Sequence, residues 1–149
     1  MSGQHAVRQV ALVRMTPRVD GNEHGDLQLP SRGIRRIQAA VLACPELARL
    51  ETRLIDLTVA DCRDYVNELA PFEPQVIGFS LFVWSMPVLP RVAQEIRRRL
   101  PQYVLVFGGP SARPEVFDLD SYRPCREAVD ALVTREGEVM FCDIVSGPL

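Results

Sequence analysis

The sequence predicts an α/β protein in which a parallel sheet is covered by helices on both faces. Three observations carry that expectation. Five short β-branched runs recur along the chain, longer amphipathic stretches separate them, and the runs are apolar at nearly every position instead of alternating. Near-continuous apolarity marks strands buried on both sides, as parallel strands are. With 149 residues, 47% hydrophobic and 24% charged, the chain suits one domain spanning 1–149 with a substantial core.

The elements follow in order. Strand one is read at Gln9 to Met15, strand two at Thr52 to Leu57, strand three at Gln75 to Phe82, strand four at Tyr103 to Gly108 and strand five at Asp130 to Thr134. Between the first two strands, "SRGIRRIQAAVLAC" places Ile34, Ile37, Val41 and Leu42 on one helical face, with Ser31 as cap and Pro45 as stop. A shorter crossover from Val59 to Leu69 ends before Pro71 and Pro74. In "MPVLPRVAQEIRRRLP", Leu89, Val92, Ile96 and Leu100 turn toward the sheet. The triplet Arg97, Arg98 and Arg99 reads as a solvated face near the helix C-terminus, where positive charge suits the dipole. Pro114 and Pro124 leave room for only a short helix, at Pro114 to Leu119. A last helix starts in "REGEVMFCDIV", with Glu136 and Glu138 in its first turn.

Composition excludes several classes of function. The net charge of −2 gives no electrostatic reason to expect nucleic acid or an anionic membrane as partner. All seventeen basic residues are arginine, which removes any chemistry that needs a lysine Schiff base or a phosphate-binding lysine. Cys44, Cys62, Cys125 and Cys142 form no CxxC pair and read as scattered thiols, not as a zinc or redox site. No metal ligand and no catalytic residue is assigned. "MSGQHAVRQVALVRM" lacks the pattern of a signal peptide and no apolar run is long enough to span a membrane, so a cytoplasmic location is expected.

Ligands of open parallel sheets settle beyond the carboxyl ends of the strands, so the residues just after each strand are the informative ones. Strand one leads into "TPRVDGNEHGDLQLP", a long polar loop. Strand three runs into Ser80 and the lone Trp84. Strand four ends in "GGPSARPE", where Gly108 and Gly109 allow a sharp turn and close backbone approach. Strand five runs into "TREGE", with Gly137 beside the amides of a helix start. Small residues at three ends, Ser80, Gly109 and Gly137, suggest a flat ligand laid across them. Two readings stand for each polar landmark. Trp84 either walls a ligand or covers the third helix, and the Ser80 hydroxyl either meets a ligand or bonds a neighbouring strand.

The ordered trio "VIGFSLFVWS", "LVFGGPSARPE" and "VDALVTREGEVMF" closely resembles the amino-terminal cobalamin-binding domain of cobalamin-dependent radical S-adenosylmethionine enzymes, over about Val10 to Val145. The resemblance implies a three-layer α/β/α sandwich with a flavodoxin-like five-stranded parallel sheet of order 2-1-3-4-5. It also implies cobalamin (vitamin B12) as cofactor, its nucleotide tail near Ser80 and Gly108-Gly109-Pro110, and its corrin ring over the strand ends. Leu81, Phe82, Val83 and Trp84 would wall the ring. Thr16, Pro17, Ser111, Arg135, Glu136 and Gly137 complete the implied cofactor-binding set.

The chain departs from related patterns in two places. Cobalamin mutases and methionine synthase carry Asp-x-His-x-x-Gly after strand one, whereas this loop reads "DGNEHG", with His24 four residues after Asp20. His24 is therefore not assigned as a cobalt ligand, and His5 belongs to a frayed terminus. The CxxxCxxC motif that binds a [4Fe-4S] cluster and S-adenosylmethionine is also missing. Those two groups are expected in a radical S-adenosylmethionine domain in cis or in a partner subunit, with a small-molecule or peptide substrate, and this chain alone is not expected to be catalytic. The function implied is that of a cobalamin module serving methyl transfer to an unactivated substrate carbon. The alternative is a cofactor-free flavodoxin-like domain that serves as a docking surface. A phosphorelay receiver would need an aspartate ending strand three and a lysine ending strand five, and this chain contains no lysine. The GxGxxG fingerprint of dinucleotide binding and the GxSxG elbow of hydrolases are absent as well.

Overall fold

A computed structural model describes residues 9–17, 32–58 and 60–147. Five strands form one parallel sheet: β1 (Gln9–Thr16), β2 (Glu51–Thr58), β3 (Val76–Ser80), β4 (Val104–Gly108) and β5 (Ala131–Leu132). Their order is β2-β1-β3-β4-β5, as the resemblance implies. Among the described residues six α-helices accompany them: α1 (Arg32–Ala43), α2 (Cys62–Leu69), α3 (Leu89–Arg99), α4 (Pro114–Phe117), α5 (Arg123–Glu127) and α6 (Gly137–Ser146). The expected Ser31 cap, His5 and His24 lie outside the described residues.

Alternation along β1 divides the core between two layers. Val10 and Leu12 face α1 and α6, where Ile34, Val41, Phe141 and Val145 meet Val76, Val106 and Val133. Ala11, Val13 and Met15 face the opposite way, toward α2 and α3, in a larger cluster with Tyr65, Leu69, Phe79, Ile96 and Phe107. Phe107 packs edge-on to Phe79 at 5.8 Å and stacks on Phe117 at 5.4 Å, which ties the short α4 to the sheet. α2 starts from a reciprocal cap: the Asp61 carboxylate accepts from the Asp64 amide, and the Asp64 carboxylate accepts from the Asp61 amide.

Several expectations are corrected. β3 stops at Ser80, two residues short of Phe82, because the chain turns into a single 3-10 turn at Val83–Ser85 that the Ser85 hydroxyl fastens to both backbone groups of Phe82. β5 is only two residues long, although the amide of Asp130 and that of Val133 extend its pairing to β4 at 2.8 Å each. Leu42 is 51% exposed, since the buried stripe of α1 runs through Ile34 and Val41. Two helices, not one, occupy the segment after β4. Pro124 is the second residue of α5, in the first turn, where its missing N–H breaks no helical bond.

Arg97 is not part of a solvated face. Its guanidinium donates to the carbonyls of Ala128 (2.9 Å), Pro101 (2.7 Å) and Tyr103 (2.9 Å) and pairs with Asp130. Asp130 also accepts from the Leu105 amide at 2.8 Å. Arg98 and Arg99 do face outward, and both bond Glu95, whose carboxyl they hold below its ordinary pKa. No helix among the described residues is long and apolar enough to cross a membrane.

Candidate functional site

A cleft of about 240 Å³ opens between α1 and α6, at the carboxyl ends of β3, β4 and β5. Its floor is apolar: Leu12, Gly78, Val106 and Phe141. α1 contributes Gly33 and Ile37 to one side, and Gly137 begins α6 on the other. Ser80, Gly108, Gly109, Arg135 and Glu136 form a polar rim. Arg36 and Glu138 pair at 2.7 Å and join the two helices beside it.

Glycines give the cleft its shape, each in a different way. A Cβ on Gly33 would meet nothing nearer than the Ser80 hydroxyl at 3.9 Å, and one on Gly108 nothing nearer than Val133 at 3.9 Å. A Cβ at either position would thus make only an ordinary van der Waals contact, and both glycines line the cleft. Gly78 is a packing glycine, since a Cβ there would lie 2.8 Å from the Phe141 ring. Gly109 has φ +92°, and its Cβ would lie 2.7 Å from both the nitrogen and the oxygen of Leu81. A side chain at Gly109 would therefore strike the loop after β3 and not project into the cleft.

That collision follows from how the two loops are joined. The Leu81 amide donates to the Gly108 carbonyl at 2.7 Å, and the Ser111 amide donates to the Leu81 carbonyl at 3.1 Å. Leu81 itself is 0% exposed, in the core cluster beneath the sheet. The wall expected of Leu81 to Trp84 is thus corrected at its first member, whose side chain supports the loop from below and is sealed from any ligand.

A second group stands over the end of β1. Phe82 and Trp84 stack with ring centroids 4.6 Å apart and planes within 10°. The indole N–H donates to the Met15 carbonyl at 2.9 Å, and Trp84 remains 37% exposed. Trp84 therefore reaches across to β1 and does not cover α3. Val83 projects outward beside it. Thr16 donates its hydroxyl to Asp56 at 2.6 Å, and Pro17 follows, half-buried. Pro110 is exposed, and its carbonyl accepts from Arg113. No partner for the Ser80 hydroxyl occurs among the described residues, so the reading in which it bonds a neighbouring strand finds no support.

Six of the sequence-predicted residues thus converge on the cleft: Ser80, Gly108, Gly109, Arg135, Glu136 and Gly137. Thr16, Pro17, Phe82, Val83, Trp84, Pro110 and Ser111 sit along the same edge of the sheet outside it. Sequence reasoning missed the floor and the α1 side. One signal for the latter was present: a glycine at the second position of a helix, Gly33, where alanine or leucine is the better helix former.

A family model described as B12 binding domain matches residues 27–145. Over 86 residues the chain is 34% identical to the cobalamin-dependent radical SAM methyltransferase TokK of Streptomyces tokunonensis, a stretch that covers 54% of this chain and 12% of TokK. Solved structures share the fold at low identity. A cobalamin-binding protein from Desulfitobacterium hafniense DCB-2 superposes with a TM-score of 0.54 at 15% identity, covering 97% of this chain and 60% of that one. The CheY-like protein tadZ of Pseudomonas aeruginosa PAO1 gives 0.53 at 13% identity, covering 93% and 94%. Backbone similarity alone therefore does not separate this chain from receiver-like folds. The family model does, because it spans most of the chain and includes α1, β3, β4, β5 and most of α6 around the cleft: the chain belongs to the B12 binding domain family.

Proposed function

We propose that this chain binds cobalamin as the cobalamin module of a radical S-adenosylmethionine methyltransferase system, with the nucleotide tail in the α1–α6 cleft and the corrin ring over the strand ends. The observation that carries the reading is the cleft itself, whose apolar floor, polar rim and two lining glycines suit a flat heteroaromatic base buried inward with its sugar and phosphate toward the rim. The donors and acceptors fit such a group. Ser80 presents an unclaimed hydroxyl, Gly33 and Gly108 keep side chains out of the space a base would fill, and Arg135 stands at the mouth.

When bound, cobalamin supplies a cobalt centre for methyl transfer, and the protein supplies position and electrostatics. In this reading Leu12, Val106 and Phe141 exclude water from the tail, Ser80 orients it, and the Phe82–Trp84 stack offers an aromatic shoulder to the ring. S-adenosylmethionine and the [4Fe-4S] cluster belong to a radical domain in cis or in trans, where the substrate carbon is methylated. The test is direct. The purified chain is mixed with hydroxocobalamin, freed of unbound cofactor by gel filtration and read by visible absorbance. Retention of about one cobalamin per chain supports the reading; a colourless chain overturns it in favour of the cofactor-free docking surface.

A further inference from the structure

Arg14 is the feature that the site description leaves without a purpose. It is 4% exposed, and its Nε is the one buried side-chain nitrogen or oxygen among the described residues that lacks a hydrogen-bond partner. Nothing described pairs with its charge. Asp56, opposite it on β2, takes the Thr16 hydroxyl at 2.6 Å and forms no ion pair with it. Its guanidinium carbon lies 5.5 Å from the centre of the Phe82 ring, a contact that leaves its N–H groups unspent. Burying the Nε–H without an acceptor costs free energy, and the terminal nitrogens of the group are not sealed in the same way, so the arrangement suits an acceptor that arrives from outside.

The position of Arg14 says where that acceptor lies. Two residues after Leu12, it faces the same side of β1 as the cleft floor. Val13 pairs with Phe79, so Arg14 stands beside Ser80, the rim residue with the unclaimed hydroxyl. The geometry points to Arg14 as a cofactor-positioning residue that, together with Ser80, receives an acceptor oxygen of bound cobalamin, either the phosphodiester of the nucleotide tail or an amide carbonyl of the corrin periphery. The inference rests on the cobalamin reading above. Those two oxygens are the sources, and cobinamide, which has the corrin and its amides but lacks the phosphodiester, ribose and base, distinguishes them.

The experiment titrates hydroxocobalamin and diaquacobinamide into the purified wild-type chain, Arg14→Met and Arg14→Lys, with thermal melting of each cofactor-free protein alongside. Loss of a charge-assisted hydrogen bond should weaken cobalamin binding by Arg14→Met about tenfold or more. Arg14→Lys should recover part of it. Methionine keeps the stem and removes the buried charge, so the cofactor-free Arg14→Met chain should melt no lower than the wild type. Weakening confined to cobalamin assigns the phosphodiester, and equal weakening of cobinamide assigns a corrin amide. Unchanged affinity for both ligands overturns the proposal, and so does weaker binding in Arg14→Met that comes with a lower melting temperature, which marks a packing role. A wild-type chain that takes up no cobalamin removes the underlying reading, and the proposal with it.

Discussion

Gly33 occupies the second position of α1 and looks across the cleft to Ser80, so one substitution there should move stability and binding in opposite directions. Leucine and alanine both favour a helix over glycine by up to about 1 kcal/mol, less so near a helix end, and roughly 0.5 kcal/mol is a fair allowance here. For a chain of this length that raises the melting temperature of the cofactor-free protein by about 1–3 °C. No atom obstructs the new Cβ, whose nearest neighbour is the Ser80 hydroxyl at 3.9 Å. The branched end of leucine then occupies the space assigned to the cofactor tail. Forcing such groups into a filled site costs about 1–3 kcal/mol, which weakens cobalamin binding roughly tenfold to a hundredfold. Alanine, with one methyl group, should fall between wild type and leucine. The assay is a hydroxocobalamin titration by visible absorbance, paired with thermal melting without cofactor. A Gly33→Leu chain that binds with wild-type affinity refutes the cleft as the cofactor site, and one that melts several degrees lower refutes the unobstructed Cβ position at Gly33.

Gly109→Ala should behave in the reverse sense and lower the melting temperature of the cofactor-free chain, because φ +92° and a Cβ 2.7 Å from the Leu81 backbone together cost about 2–4 kcal/mol; a melting curve unchanged from wild type would refute the collision. Arg97→Ala removes the donor to three carbonyls, of which those of Ala128 and Tyr103 are part-buried, and the partner of the exposed Asp130, and urea unfolding should show a loss of about 1–3 kcal/mol, whereas a loss under 0.5 kcal/mol would return Arg97 to the solvated face read from sequence. Burial, reinforced by the charge of Asp56, raises the Tyr65 phenol above its ordinary pKa. The folded chain therefore keeps that proton at alkaline pH while the unfolded chain releases it, so stability falls as pH rises beyond about 10. Tyr65→Phe should flatten that fall while costing about 1–2 kcal/mol at neutral pH for the lost bond to the Arg14 carbonyl at 3.0 Å, both measured by urea unfolding across pH.

The sheet was legible because its signal is local. Runs such as Val76-Ile77 and Leu105-Val106-Phe107 are apolar throughout, and they are buried on both faces. The edges were less legible. Pro124 reads as a breaker until its place in a first turn is known, and Leu42 looks like core until the helix is set against the sheet. Half of the site was visible as small residues at strand ends. The other half comes from residues that resemble ordinary core, such as Leu12 and Phe141, or from faces that only the strand register reveals. Arg14 is the clearest example: inside "LVRMT" it looks like a charge at the end of a strand, and its isolation emerges only when the Phe82–Trp84 stack closes over β1. Gly109 was noticed as a turn glycine, which φ +92° bears out, but its close approach to the Leu81 backbone, distant in sequence, could not be told from a ligand contact by composition.

The stitching of Leu81 to Gly108 and Ser111 bears on the timing of ligand exchange. Two backbone hydrogen bonds and a buried leucine make the β3 and β4 loops one jaw, already shaped before a ligand arrives. No ordering entropy is then spent on that side during capture. Substitutions along the jaw that leave the stitching intact should accordingly alter how long a ligand stays far more than how fast it enters, and residence time, not encounter rate, becomes the quantity by which this edge of the sheet is tuned.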